Sequence, residues 1–522
     1  MNEQPFEFIY TNLTDAQALK LNAKYIPSKK QYRIPGTLHR LRELYRLTRE
    51  THSKEFLDHI RDVGIKRKQL LEYQKSLKTR TLEDPEGKLR PYQYQDVEYL
   101  SKLHNAALFH DMRLGKSVIM SSILKRKGFK KGIIIAPVST LFQWEDEIRN
   151  WTELKPLVYA GTKNKREKIR LVFGQTDSVL ITSYGTIRED VDILIKLKFD
   201  FVACDEAHRL RNYKTGQSKA CYKVGKRSEH RYALTGTPVC GSEIDLYGIL
   251  AFLFPNHFTS YWQFADEYMT IVEGYFGKDI GKLRRKEELE EVINSVSIMR
   301  KKKNVLEWLP EKTFEKMKVE LDSKQRKAYK SMLESFEYED IDASTVLAQM
   351  TRLRQISTCP SVLGLDIPNA KEKVLLEWLS DHPNEPVIVF SMFSSYLKEL
   401  QGQIKGSRLL IGEVTREERN KNVRDFQSGE YNVLLANIIV AKEGLTLDRG
   451  EVSIFLDKSF NPTDNEQAME RITPTTEDNI HKTLIIDIEA IGTYDDKINK
   501  ILDRKLGAKE IVDEMLKLIK GG

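Results

Sequence analysis

Cysteine is scarce in this 522-residue chain: there are four, Cys204, Cys221, Cys240 and Cys359, and no two of them form a CxxC pair. That scarcity argues against a disulfide framework and against a zinc ribbon, and leaves four reduced thiols. Long apolar runs are missing too. No stretch approaches the roughly 20 residues needed to cross a bilayer, and the opening MNEQPFEFIY has no basic start leading into an apolar segment. Neither a membrane span nor a secretion signal is therefore read. Charge of one sign is not in large excess: 84 Lys+Arg against 76 Asp+Glu give a net +8, a modest basic bias that suits a polyanionic partner without requiring one. Short-period repeats and low-complexity tracts are absent.

What is present points to a soluble globular protein of several domains, with 40% apolar and 31% charged residues. Residues 1–88 hold 18 Lys+Arg against 12 Asp+Glu, a surplus of six that is most of the net charge. They include a charged stretch from Leu38 to Leu77 with no Pro and one Gly, which reads as helical. Residues 1–85 are expected to form a basic accessory domain, a candidate for binding DNA junctions. The turn-rich Glu83-Asp84-Pro85-Glu86-Gly87 follows as a linker.

From residue 106 onward short apolar runs alternate with helical patterns: Gly132–Pro137, Ser178–Thr182, Phe201–Asp205 and Tyr232–Thr235. A second set comprises Pro386–Phe390, Ser407–Ile411, Asn432–Ala436, Val452–Leu456 and Thr483–Asp487. Runs apolar on both faces are the mark of parallel strands joined by crossover helices. The expected fold class is α/β, with two parallel-sheet lobes in tandem, over 86–255 and 376–522. A helical insertion over 256–315 and a helical connection over 316–375 are expected between them.

In Asp111-Met112-Arg113-Leu114-Gly115-Lys116-Ser117 an apolar segment, Ala106–Phe109, turns into a helix beginning near Lys116. Backbone N–H groups at such a helix start cradle phosphate, the lysine adds a point charge, and the Ser117 hydroxyl can hold Mg²⁺. Alone, a Gly-Lys-Ser triplet is a weak signal. It gains weight from Asp205-Glu206-Ala207-His208 at the end of the Phe201 run, where nucleotide-binding sheets place their catalytic loops. There Asp205 can hold Mg²⁺ through water while Glu206 polarises an attacking water.

The order of motifs resembles superfamily-two helicases, and in detail the Swi/Snf-type DNA translocases, over residues 89 to about 475. Leu89-Arg90-Pro91-Tyr92-Gln93 resembles that family's adenine-side motif, which implies that Arg90 and Gln93 lie at the base. Ile135-Ala-Pro137-Val-Ser139, with Gln143, Trp144 and Glu147, and Ile181-Thr182-Ser183-Tyr184 resemble motifs that touch the DNA backbone. The resemblance therefore implies DNA contacts at Pro137, Ser139, Thr182 and Ser183, and at Ser391 beyond the Val387–Phe390 motif. Asp205–Asn212 and Leu234-Thr235-Gly236-Thr237-Pro238 resemble the hydrolysis and coupling motifs. Asp245-Leu-Tyr-Gly248, Phe252–Pro255 and Met299–Leu306 follow in the same order, then Phe426–Gly429, Ala441–Leu447 and Asn461-Pro462 with Gln467-Ala468.

The resemblance implies two RecA-like lobes, ATP and Mg²⁺ as cofactors, and a DNA-stimulated ATPase. Its catalytic residues would be Lys116, Asp205, Glu206 and Arg471, and its coupling residues His208, Thr235, Gly236, Thr237 and Gly444. Nucleotide contacts would come from residues 111–117 and Gln467. A two-state clamp is implied in which ATP bridges the lobes and its hydrolysis reopens them on the DNA. Implied partners are double-stranded or branched DNA, with single-stranded DNA an alternative, and no membrane. A monomer is expected, in the cytoplasm of a bacterium or phage-infected cell and associated with the nucleoid, or in the nucleus if eukaryotic. Branch migration, strand reannealing or fork remodelling is the expected use. A strand-separating helicase and a non-hydrolysing DNA-binding protein with a degenerate motor stay open as alternatives.

For single residues plainer readings compete. Trp144, Phe252 and Phe254 read as packing rather than as base-stacking residues. Arg300–Lys303 reads equally as a solvated helix face or as a phosphate-tracking cluster. Two departures from the family pattern stand out. Arg113 occupies a position where the phosphate loop usually has Gly. Arg471 stands four residues after Gln467, but Pro474 holds the place of a second arginine, which puts the hydrolysis rate in question.

Overall fold

The computed structural model describes residues 8–21, 23–79, 82–274, 277–339, 341–343, 345–441, 447–474 and 480–495. The chain divides into two units, Met1–Val305 and Leu306–Gly522. Gly444 and the rest of 442–446 lie outside the described residues, so its expected coupling role has no structural counterpart here.

The first unit opens with a small antiparallel sheet, β1 (Phe8–Thr11), β2 (Lys24–Ile26) and β3 (Gln31–Pro35), in the order β1-β3-β2. Two helices follow, Leu38–Thr48 and Lys54–Thr79. Ile9, Leu21, Ile34, Leu41, Leu44 and Ile60 form their shared core. The stretch from Leu38 to Leu77, read as helical, is two helices with a break around Thr51-His52-Ser53.

The large sheet of this unit contains β4 (Asn105–His110), β5 (Lys131–Ala136), β6 (Lys155–Tyr159), β7 (Ser178–Ser183), β8 (Phe201–Asp205) and β9 (His230–Leu234). The region expected to be a helical insertion also carries a hairpin, β10 (Met269–Gly274) with β11 (Gly277–Leu283), and then β12 (Ser297–Arg300). β12 joins the large sheet beside β4, giving the all-parallel order β12-β4-β9-β8-β5-β7-β6. The first lobe's sheet thus extends past residue 255, because Ser297–Arg300 supplies the edge that covers β4. Its central strands are buried on both faces, as parallel strands under helices must be.

The accessory region does not present all its basic surplus outward. Arg33 pairs with Glu267 at 2.8 Å, Arg40 with Glu288 at 2.8 Å and Arg67 with Glu291 at 2.6 Å, with all three arginines buried. Three of the cations counted as a DNA-facing excess are therefore spent on glutamates of residues 256–296.

The second unit begins with β13 (Thr313–Val319), has a two-residue hairpin pair β14 (Glu337–Tyr338) and β15 (Ile341–Asp342), and continues with β16 (Val387–Ser391), β17 (Arg408–Leu410), β18 (Val433–Asn437), β19 (Val452–Phe455) and β20 (Leu484–Ala490). Its main sheet is also all parallel, in the order β13-β20-β19-β16-β18-β17. β13 straddles the boundary between the regions expected to be helical insertion (256–315) and helical connection (316–375). No helix among the described residues is long and apolar enough to cross a membrane.

Candidate nucleotide site and its surroundings

Three adjacent strands of the first sheet end at the site. β4 runs into the loop 111–115, β9 into Thr235-Gly236-Thr237, and β8 ends at Asp205. Neighbouring strands lie roughly 4.8 Å apart, so the order β4-β9-β8 brings three distant sequence segments to one carboxyl edge, where open α/β sheets bind their ligands.

The loop turns through two left-handed residues, Arg113 at φ 65° and Gly115 at φ 75°. Glycine is needed at 115, since a Cβ there would stand 2.4 Å from Gln93 Nε2. Tyr92 Oη and Gln93 Nε2 both donate to the Leu114 carbonyl, at 3.2 and 3.3 Å, and the Arg90 N–H donates to Gln93 Oε1 at 3.0 Å. Tyr92 and Gln93 of the expected adenine-side motif thus bond the phosphate loop directly, while the Arg90 N–H bonds Gln93. Lys116 begins the helix Lys116–Lys127, and its Nζ donates to the carbonyls of His110 at 3.0 Å and Asp111 at 3.4 Å. The Asp111 carboxylate accepts from the Lys302 N–H at 2.9 Å, while Met112 lies against Gly236, where an added Cβ would sit 3.7 Å from the Met112 side chain.

One helix, Leu141–Trp151, links the phosphate loop to the acidic motif. Ser117 Oγ donates to Glu147 Oε1 at 3.1 Å, and three residues back on the same helix the Trp144 indole donates to Asp205 Oδ2 at 2.9 Å. Trp144 is buried packing, as expected, but its hydrogen bond to Asp205 is not legible in the sequence. Burial pushes the Asp205 carboxyl up to about 6, helped by the neighbouring Glu206 charge and opposed by the Trp144 hydrogen bond and the Lys116 charge. Burial also raises Glu147, against its bond from Ser117.

Glu206 takes a left-handed backbone, φ 49°. His208 Nδ1 stands 3.2 Å from Glu206 Oε2 and 3.1 Å from Thr235 Oγ1, which in turn accepts from the Thr237 N–H at 3.1 Å. The residues expected to couple hydrolysis to motion, His208, Thr235 and Thr237, therefore form one chain of polar contacts with Glu206. Gly236 lies where a Cβ would be 3.3 Å from the His110 carbonyl and 3.8 Å from Lys116 Nζ.

Behind the loop is an ion network that no motif announces. His110 Nε2 stands 2.7 Å from Asp96 Oδ2, both side chains wholly buried, and the Arg300 guanidinium grips Asp96 at 2.6 and 2.9 Å. Arg300 is thus neither a solvated helix face nor a phosphate tracker. It ties the helix Pro91–Leu100 to the strand that feeds the phosphate loop.

At the expected DNA contacts, Thr182 is 0% exposed and its hydroxyl donates to the Tyr159 carbonyl at 2.9 Å; Ser391 is 0% exposed and donates to Asp457 Oδ2 at 2.6 Å. Both sit at strand ends with their hydroxyls engaged within the protein. Ser183 caps the helix Tyr184–Glu189 by accepting from the Thr186 N–H. Pro137 and Ser139 lie at the partly exposed turn Val138–Thr140, beside Val138, which is 71% exposed.

In the second unit Gln467 lies on the helix Pro462–Met469 and Arg471 on the 3-10 turn Glu470–Ile472. The Arg471 carbonyl accepts from the Leu447 N–H at 3.0 Å, and Lys312 pairs with Glu470 at 2.6 Å. Pro474 is buried.

The donor set suits a nucleotide with its metal: a helix N-terminus, a lysine and, from Ser117 and Asp205, the hard oxygen ligands that Mg²⁺ takes. Fold and site together define a nucleotide-binding lobe followed by a second parallel-sheet lobe. The chain belongs to the SNF2-related family: the SNF2-related domain matches residues 57–362, and the helicase conserved C-terminal domain matches residues 370–473. Among curated relatives, the Bacillus subtilis protein named "Putative ATP-dependent helicase/translocase YwqA" is 26% identical over 80% of this chain and 48% of its own length. The ISWI chromatin-remodeling complex ATPase of Saccharomyces cerevisiae is 27% identical over 74% of this chain and 37% of its own. The chain spans half or less of the length of these relatives. A solved Sulfolobus solfataricus SWI2/SNF2 ATPase core in complex with dsDNA covers 81% of this chain at 24% identity and a TM-score of 0.41.

Proposed function

We propose that this chain is an ATP-dependent DNA translocase of the SNF2 type, hydrolysing ATP to move on double-stranded or branched DNA. The observation that carries this reading is the set of polar contacts, bridged by the helix Leu141–Trp151, that runs from the phosphate loop to the coupling motif: Ser117 to Glu147, Trp144 to Asp205, and Glu206 through His208 to Thr235. The membership of the chain in a family whose curated relatives are named as ATP-dependent helicases and remodelling ATPases supports it.

In this reading the backbone N–H groups at the start of the Lys116 helix and the Lys116 ammonium hold the phosphates, while Gln93 and Arg90 meet the base. Ser117 and Asp205 would hold Mg²⁺, which would supply charge neutralisation at the phosphoryl group. Glu206 orients and deprotonates the attacking water. His208, in contact with both Glu206 and Thr235, reports the state of the phosphate to the 235–237 loop. Arg471, with Gln467 beside it, supplies the positive charge that the transferring phosphoryl group requires. DNA grip through phosphates makes binding independent of sequence and strongly salt-dependent. Branch migration, reannealing and fork remodelling are the uses that fit a motor acting on duplex or junction.

The test is steady-state ATP hydrolysis with no nucleic acid, single-stranded DNA, duplex, a four-way junction and RNA. Duplex or junction is expected to stimulate turnover. Lys116→Ala and Glu206→Gln should lower it about 10²-fold or more, and Arg471→Ala about 10³-fold. Absence of hydrolysis under every condition, with ATP still bound, would overturn the motor and leave a DNA-binding protein; strand displacement from a forked substrate would instead make the motor a separating helicase.

A further inference from the structure

At the amino edge of the first sheet, the opposite end of the strands from the nucleotide site, His104 precedes β4 and Glu229-His230 opens the neighbouring β9. One ligand atom from each of these three side chains lies within 4.8 Å of the other two, the one such group of three among the described residues. We infer that His104, Glu229 and His230 form a binding site for a borderline transition-metal dication of the Zn²⁺ type, separate from the nucleotide site.

The ring nitrogens are set up for ligation. His230 Nδ1 lies 3.1 Å from the His104 carbonyl oxygen. A carbonyl only accepts, so Nδ1 carries the proton and Nε2 is left with its lone pair, the arrangement in which a second hydrogen bond fixes the tautomer of a metal-binding histidine. His104 Nε2 is buried without a hydrogen-bond partner, a costly condition that a metal bond removes. The two rings stack at 4.6 Å between centroids with an interplanar angle of 7°, and Phe129 packs on His230 at 4.8 Å, so neither imidazole is a free rotor. The Lys127 ammonium lies near both imidazoles. Glu229 brings the anionic oxygen that offsets Lys127.

Zinc bonds of about 2.0–2.1 Å to nitrogen and oxygen put tetrahedral ligands about 3.3 Å apart, so the three ligand atoms, now within 4.8 Å of one another, draw together when an ion binds. Two nitrogens and one carboxylate leave a fourth position for water. An open basin of about 830 Å³, lined by Phe129, Lys130, Asp200, Arg227, Glu229 and His230, gives an ion its approach from solvent. Such an ion would bridge the starts of β4 and β9, the two strands whose far ends carry the phosphate loop and Thr235.

The full chain, stripped with chelator and held in millimolar Mg²⁺ without nucleotide, is titrated with Zn²⁺ against a chromophoric chelator. One equivalent is expected to bind with Kd near or below the micromolar range and to raise the unfolding temperature. His104→Gln and His230→Gln should each weaken binding at least tenfold, and Glu229→Gln by less, with circular dichroism confirming that the variants are folded. Co²⁺ bound to the unaltered chain should give visible d–d bands without a thiolate charge-transfer band, a readout that needs no variant. No stoichiometric binding, undiminished affinity in both histidine variants, or a thiolate band in the Co²⁺ spectrum would each overturn the assignment.

Discussion

The Trp144 indole donates to Asp205 Oδ2 across 2.9 Å, from the helix that also holds Ser117 through Glu147. This bond favours the ionised carboxylate at a site where burial and Glu206 disfavour it, and Asp205 sits near 6 as the balance.

Proton and Mg²⁺ compete for that carboxylate, so affinity for Mg²⁺ with a non-hydrolysable ATP analogue should fall as pH drops through about 6. Trp144→Phe keeps most of the packing and removes the donor. Its acid limb should move upward by roughly one unit, the scale of a charged hydrogen bond. An unchanged limb would show that the bond does not tune Asp205. For stability the sign is the reverse: the folded chain holds this proton more tightly than the unfolded chain, so the group favours folding at low pH. That contribution is complete below the unfolded value of 3.8 and is lost as pH rises through about 6.

Arg113 and Gly115 both carry positive φ, yet only one is glycine. A left-handed non-glycine residue costs roughly 1–2 kcal/mol. Arg113→Gly should therefore stabilise the chain by up to about 1 kcal/mol after its added unfolded-state freedom, whereas Arg113→Ala keeps the strain and should not. Denaturant unfolding of the two variants separates the backbone effect from that of the charge. Gly115→Ala should do the opposite. Its Cβ would displace Gln93 Nε2, so ATP affinity should drop and preference over GTP should shrink, as read by fluorescence titration with both nucleotides.

Asp96→Ala would leave His110 and Arg300 without their shared carboxylate. Breaking one partner out of a buried ionic network costs roughly 3–5 kcal/mol, and the phosphate loop should loosen with it. Arg149→Ala, which breaks the surface pairs with Glu145 and Asp146, is the comparison and should stay within about 0.5 kcal/mol. Equal effects in the two variants would show that the Asp96 network is not a support of the loop.

The interior strands are legible in the sequence because parallel strands buried on both faces read as unbroken apolar runs, as in Ile133-Ile134-Ile135 and Val387-Ile388-Val389. Edge strands do not announce themselves. β6 opens Lys155-Pro156, tolerable only because it is an edge, and β13, Thr-Phe-Glu-Lys-Met-Lys-Val, alternates charge with partial exposure. β12 is four residues whose sheet partner lies far upstream. At the site, the loop, the acidic motif and Thr235 are legible as motifs. The wiring between them is not, because a side-chain bond such as Trp144 to Asp205 spans 61 residues without a fixed spacing. The burial of Thr182 and Ser391 was not legible for a similar reason: a motif names a strand end but does not say which of its alternating side chains points inward.

β12 has a consequence for how the chain is made. It pairs with β4 in register, Ser297 opposite Ala107 and Arg300 opposite His110. A ribosome releasing the chain in order exposes β4 long before β12 emerges, and sequence-distant pairing of this kind is slow because loop-closure entropy must be met first. Throughout that interval the strand leading into the phosphate loop has a bare, apolar edge, the condition in which nascent sheets join the wrong neighbour. The edge beside β4 is therefore among the last parts of the first unit to close, and a ribosome stalled before residue 297 would display a lobe whose phosphate-loop strand still lacks its outer neighbour.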